Sequence, residues 1–75
     1  GPMGASGDDG VDAMSAREVQ VLQKVAEGHT NRQIGEDLCL SALTVKSHLA
    51  RIGRKLGTGD RAEMVAIGFR HGVVA

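Results

Sequence analysis

Three observations predict an all-α fold, a four-helix bundle, for this chain. Apolar residues recur at helical spacing in four separate segments. Each segment opens on a Ser, Thr or Asp able to cap it, and three of the four end at or beside Gly. Strand signals are absent, with no alternating β-branched run and no hairpin dipeptide between two such runs.

Gly1-Pro2-Met3 reads as a protease-cleavage remnant followed by a cloning start, and stands outside the fold. Gly4 to Ala13 is rich in Gly and Asp with little to bury. Residues 1–13 are therefore expected to be a disordered tag or linker, and residues 14–75 the folded domain. The Gly-rich lead suits either the tail of an interdomain linker or the short start of a stand-alone protein.

The first helix opens on Ser15, which forms a capping box with Glu18, and runs to about Glu27, where Gly28 can take the left-handed conformation. It buries Val21, Leu22, Val25 and Ala26, with Val19 at the margin. Thr30 with Gln33 opens a short second helix, about Asn31 to Leu38, that buries Ile34 and Leu38. Gly35 inside it costs about 1 kcal/mol relative to Ala, so a close helix crossing is expected there. Cys39-Leu40-Ser41 is a three-residue turn, and Ser41 caps a long third helix that ends at Gly57. Asp60 with Glu63 makes a third capping box, and the fourth helix stops near His71-Gly72. Two helices joined by a three-residue turn, the second longer and basic, form a helix-turn-helix.

The third helix is the most informative segment. Its apolar seam is Val45, Leu49, Ile52 and Leu56. The opposite face carries Lys46, Ser47, Ala50 and Arg54, flanked by Thr44, Arg51 and Lys55. Four cations and no carboxylate share this helix. A buried stripe behind a cationic, small-residue face suits the acceptor-rich floor and phosphate walls of a DNA major groove.

Composition narrows the alternatives. The formal net charge is zero, but Asp8, Asp9 and Asp12 lie before residue 14, which leaves all nine basic residues against six acids in the folded part. No Trp or Tyr and a single Phe imply an aliphatic core, and argue against single-strand binding by base stacking. The lone Cys39 cannot form an intrachain disulfide, no apolar run approaches membrane-spanning length and no signal peptide is visible, so a cytoplasmic protein without a membrane partner is expected. An enzyme is not expected. His29, His48 and His71 match no short metal-ligand spacing, no cofactor is implied, and Arg17 with Glu18 reads as structural. His48 is expected to be packed and hydrogen-bonded, and Cys39 to be a small buried apolar group rather than a redox switch.

The run Met14-Ser15-Ala16-Arg17-Glu18, then Val21-Leu22, Ala26-x-Gly28, Thr30-Asn31-Arg32-Gln33-Ile34, Leu38, Leu40-Ser41, Thr44-Val45-Lys46-x-His48, Ile52-x-x-Lys55-Leu56-Gly57, Arg61 and Ala62 resembles the LuxR-type (FixJ/NarL-type) helix-turn-helix domain. The matches run in order, without insertion, over residues 14 to about 74. Met14 stands where Leu is usual, Gly35 where Ala is usual and Leu43 where a polar residue is common. The resemblance implies bacterial transcription regulation, either as the output half of a response regulator or as a small stand-alone regulator, with double-stranded DNA as partner. A helix-turn-helix that docks on RNA polymerase or another regulator is the runner-up. Salt separates the two, because groove binding weakens steeply with salt and docking through an apolar face does not.

On DNA, Lys46, Ser47 and Ala50 are expected at base edges, in agreement with the resemblance, and Leu43 joins them on geometry alone. Thr44, Arg51, Arg54 and Lys55 are expected at phosphates, with Thr30, Asn31 and Arg32 at the second helix's amino end. In the fourth helix Ala62, Val65, Ala66 and Phe69 are expected to pack inward. Met64, Ile67 and His71, beside Gly68, are expected to form the contact of a weak homodimer. The resemblance also implies dimerisation through this helix, over an inverted repeat about one helical turn apart.

Overall fold

A computed structural model describes residues 7–75, which form five helices and, among the described residues, no strand. They are α1 (Gly7–Asp12), α2 (Ala16–Ala26), α3 (Asn31–Leu38), α4 (Ala42–Leu56) and α5 (Arg61–Arg70). The fold is all-α, and α2 to α5 are the four helices predicted.

Local chemistry sets where the helices begin. Ser15 Oγ accepts from the Glu18 N–H at 3.1 Å while Glu18 Oε1 accepts from the Ser15 N–H at 2.8 Å. Thr30 and Gln33 repeat the exchange at 3.1 and 2.8 Å. Ser41 Oγ accepts from the Thr44 N–H at 3.0 Å and opens α4. The expected box at Asp60 and Glu63 does not form. Asp60 Oδ1 accepts from the Ala62 N–H, whereas Glu63 is engaged by the Thr58 hydroxyl. Thr58 Oγ1 itself accepts from the Asp60 N–H, so the preceding turn takes over the role assigned to Glu63.

The core is aliphatic. Val21, Leu22, Ile34, Val45 and Ile52 are completely buried, and they come from α2, α3 and α4 alike. The seam of α4 is all inside, with Leu49 and Leu56 beside Val45 and Ile52. Gly35 is buried for a reason other than helix crossing: a Cβ there would run into the Leu40 carbonyl. The Gly35 carbonyl in turn accepts from the Cys39 and Leu40 N–H groups, so this glycine is what lets the turn double back so tightly.

Four expectations are corrected. Residues 1–6 lie outside the described residues, but 7–12 form a helix rather than a disordered lead. Val11 packs on the core, and a Cβ on Gly10 would collide with the Lys55 carbonyl, so α1 lies directly on the end of α4. Cys39 is exposed, because the turn needs a left-handed residue at that place and Cys39 takes it, at φ 60°. His48 is half-buried, yet its Nδ1 lies buried without a hydrogen-bond partner among the described residues.

The fourth correction reverses the faces of α5. Met64 and Ile67 are buried with Gly68, whereas Ala62, Ala66 and Phe69 are exposed and Val65 half-buried. A Cβ on Gly68 would lie 3.0 Å from Val74 and 3.2 Å from Leu22 side-chain carbons, both within this chain. The close approach that this glycine permits is therefore internal. Met64, Ile67 and Gly68 cannot meet a second copy without opening the core, and of the proposed contact only His71 is exposed.

Candidate nucleic-acid interface

Because the seam of α4 faces inward, its far side must face solvent. Lys46, Ser47, Ala50, Arg51 and Arg54 are all exposed, as is Leu43 at the amino end, at 72%. Among the described residues no carboxylate pairs with Lys46, Arg51 or Arg54. These side chains form one unneutralised cationic row with small residues between them. Thr44 is exposed on the same turn as Ser41 and its Oγ1 accepts from the Ser41 hydroxyl at 2.9 Å.

The amino end of α3 supplies a second group. Thr30 is its cap and is exposed. Arg32 is exposed on the first turn and lies 3.6 Å from Glu36, a long pair between two well-solvated groups that contributes little. Its guanidinium is therefore available. Asn31 is half-buried, and its Oδ1 accepts from Arg61 at 2.7 Å.

Arg61 is the residue whose part the sequence reading left unassigned. It also donates to the His29 carbonyl at 2.9 Å, and so ties the start of α5 to the chain entering α3. Both bonds span some thirty residues, and nothing local announces them. Their effect is to hold the amino end of α3 in place relative to the rest of the fold.

Lys55 is the correction on α4. Its Nζ lies 2.6 Å from Glu18 Oε1 and 3.0 Å from the Ala13 carbonyl, so it is held inside the fold rather than offered to a phosphate. Burial pushes the Glu18 carboxyl up. The Lys55 ammonium and the Ser15 N–H more than offset that, and the group ends below its ordinary value of 4.5. The pair pins the carboxyl end of α4 to the first turn of α2. The expected phosphate set thus reduces to Thr30, Asn31, Arg32, Thr44, Arg51 and Arg54. Among the described residues no helix is long and apolar enough to cross a membrane.

Residues 12–67 match the family described as bacterial regulatory proteins, luxR family. The transcriptional regulatory protein LiaR of Bacillus subtilis is 36% identical over 63 residues, which are 84% of this chain and 30% of that protein. The HTH-type transcriptional activator RamA of Corynebacterium glutamicum is 46% identical over 61 residues, 81% of this chain and 22% of that protein. The response regulator GacA of Pseudomonas aeruginosa is 36% identical over 67 residues, 89% of this chain and 31% of that protein. The chain thus spans about a third or less of each of these relatives.

Proposed function

The chain belongs to the LuxR family of bacterial regulatory proteins, and we propose that it is the sequence-specific double-stranded DNA-binding unit of a transcriptional regulator, with α4 in the major groove. The observation that carries this reading is the exposed, acid-free row on α4, backed by a fully buried seam. Lys46 donates to guanine O6 and N7, Ser47 serves donor or acceptor edges, and Ala50 or Leu43 covers a thymine methyl. Arg51, Arg54 and Thr44 hold phosphates. A further phosphate sits at the amino end of α3, where Thr30, Asn31 and Arg32 meet the positive end of the helix.

Paired substitutions test this division of labour. Lys46→Ala is expected to cost about 1–3 kcal/mol on a preferred site and to flatten preference at one base pair. Arg32→Ala is expected to weaken preferred and random duplexes alike and to lower the salt slope by about one unit. Equal losses on both duplexes for Lys46→Ala would make it a phosphate contact, and an unchanged slope would remove Arg32 from the interface.

The reading extends to a dimer on an inverted repeat. Its contact is the solvent face of α5, where Val65 and Phe69 lie one turn apart beside Ala62 and Ala66, and Phe69 is 50% exposed. So small a patch falls short of the ~1,000 Å² that a stable interface buries, so pairing is weak and is completed on DNA. Phe69→Glu is expected to abolish cooperative filling of a two-half-site duplex while affinity for one half-site stays the same. Cooperativity that survives this change would place the pairing surface elsewhere.

A further inference from the structure

His48 is a residue of α4 that the interface described above does not use. It is half-buried, and its Nδ1 is shut away from water with no hydrogen-bond partner among the described residues. The other ring nitrogen, Nε2, is not shut away in this manner, so it is the one that reaches solvent. A neutral imidazole carries one proton, on either nitrogen, and its bare nitrogen is an acceptor. A buried N–H without an acceptor is rarer in folded proteins than a buried acceptor left unfilled. The proton therefore belongs on Nε2, and the orphaned Nδ1 locks that tautomer.

Place along the helix decides what the outward N–H can meet. Thr44, His48, Arg51 and Lys55 follow i, i+4, i+7 and i+11, and so share one stripe of α4. That stripe is the edge between the buried seam and the base-reading face, which accounts for a ring half inside and half outside. Lys55 is turned inward to Glu18. Thr44 and Arg51 are exposed, one turn to either side of His48.

We propose that His48 is a further DNA-backbone contact, donating a neutral hydrogen bond from Nε2 to a phosphate oxygen between those held by Thr44 and Arg51. The contact rests on the DNA-binding reading above, whereas the tautomer does not. A phosphate oxygen only accepts, so the locked Nε2–H is complementary to it. An Nε2 without its proton would meet the phosphate lone pair to lone pair.

Imidazole 15N NMR of the full chain at slightly alkaline pH is the first arm. A proton on Nε2 and a bare Nδ1 are expected, with Nε2 shifting when duplex DNA is added and Nδ1 staying bare. A proton on Nδ1, or an Nε2 signal that duplex DNA leaves in place, overturns the proposal. The second arm is His48→Phe, which keeps the ring and removes the donor together with the orphaned Nδ1, so its melting temperature is expected to hold or rise. Affinity for preferred and random duplexes is expected to fall alike, about three- to tenfold. The salt slope is expected to stay that of the parent, because a neutral donor displaces no counterion, whereas Arg51→Ala lowers it by about one unit. Unchanged affinity overturns the contact. A slope lowered as by Arg51→Ala overturns the neutral donor, and a loss confined to the preferred duplex makes His48 a base reader. A parent chain that binds no duplex at all defeats the DNA-binding reading and the contact with it, while the 15N signals of the free chain still decide the tautomer.

Discussion

Replacing Lys55 with Met is expected to lower the unfolding free energy at neutral pH by about 2–4 kcal/mol, because it strands a buried carboxylate. The Glu18 side chain is 2% exposed, and it keeps only the Ser15 N–H once the ammonium 2.6 Å away is gone. Met matches the Lys stem in length, so the loss is of charge rather than of packing. The pH dependence identifies the cause. In the parent the folded-state value of Glu18 lies below 4.5, so its contribution is present above that value and is lost as pH falls through the folded one. In the variant Glu18 is easily protonated, and acid relieves the penalty. The gap between parent and variant, from urea unfolding, is therefore expected to be smaller in acid, below pH 4.5, than at neutral pH. A gap of equal size at both pH values would mean that the Lys55 stem, not its charge, stabilises the fold.

Ile52→Ala is expected to have the other large effect, about 2–5 kcal/mol, from lost transfer energy and the cavity left behind. Ile52 is completely buried at the middle of the α4 seam, where nothing exposed can move in to fill the space. A domain this small has little stability in reserve, since short chains bury a smaller share of their surface. The melting temperature followed by circular dichroism is expected to fall by at least about 10 °C. DNA affinity at low temperature is expected to fall as well, because the seam holds the cationic row at a fixed angle. A melting shift of only a few degrees would mean that the seam is not what anchors α4.

Helices α2, α3 and α4 were legible because their information is local. Ser15 with Glu18, Thr30 with Gln33, and Ser41 carry their cap bonds within three residues, and the α4 seam follows from spacing alone. The exposed face of α4 follows directly from the buried one. What stayed hidden depends on tertiary contact. The segment of α1 has no apolar periodicity, and its docking shows only in the fold, where Val11 packs on the core and Gly10 meets the Lys55 carbonyl. In α5 two nearly equal apolar stripes compete. Spacing cannot choose between them, and the choice is made by Gly68 fitting against Leu22 and Val74 and by Met64 lying beside Gly53. Lys55 looks like the other cations of α4 until Glu18 is brought beside it by the packing of α2. Cys39 looks like a small buried residue until the turn demands a left-handed backbone there. Arg61 has no local signal, since both of its partners lie in the chain entering α3.

The most direct test of the central claim is selection of preferred sites from random duplex DNA by the full chain, followed by the salt dependence of binding to the selected site. Enrichment of one short sequence is expected, arranged as inverted halves about one helical turn apart. Affinity is expected to fall steeply with salt, with a slope that reports several phosphate contacts. A pool that stays random through the selection, with binding insensitive to salt, would contradict the claim that α4 reads DNA.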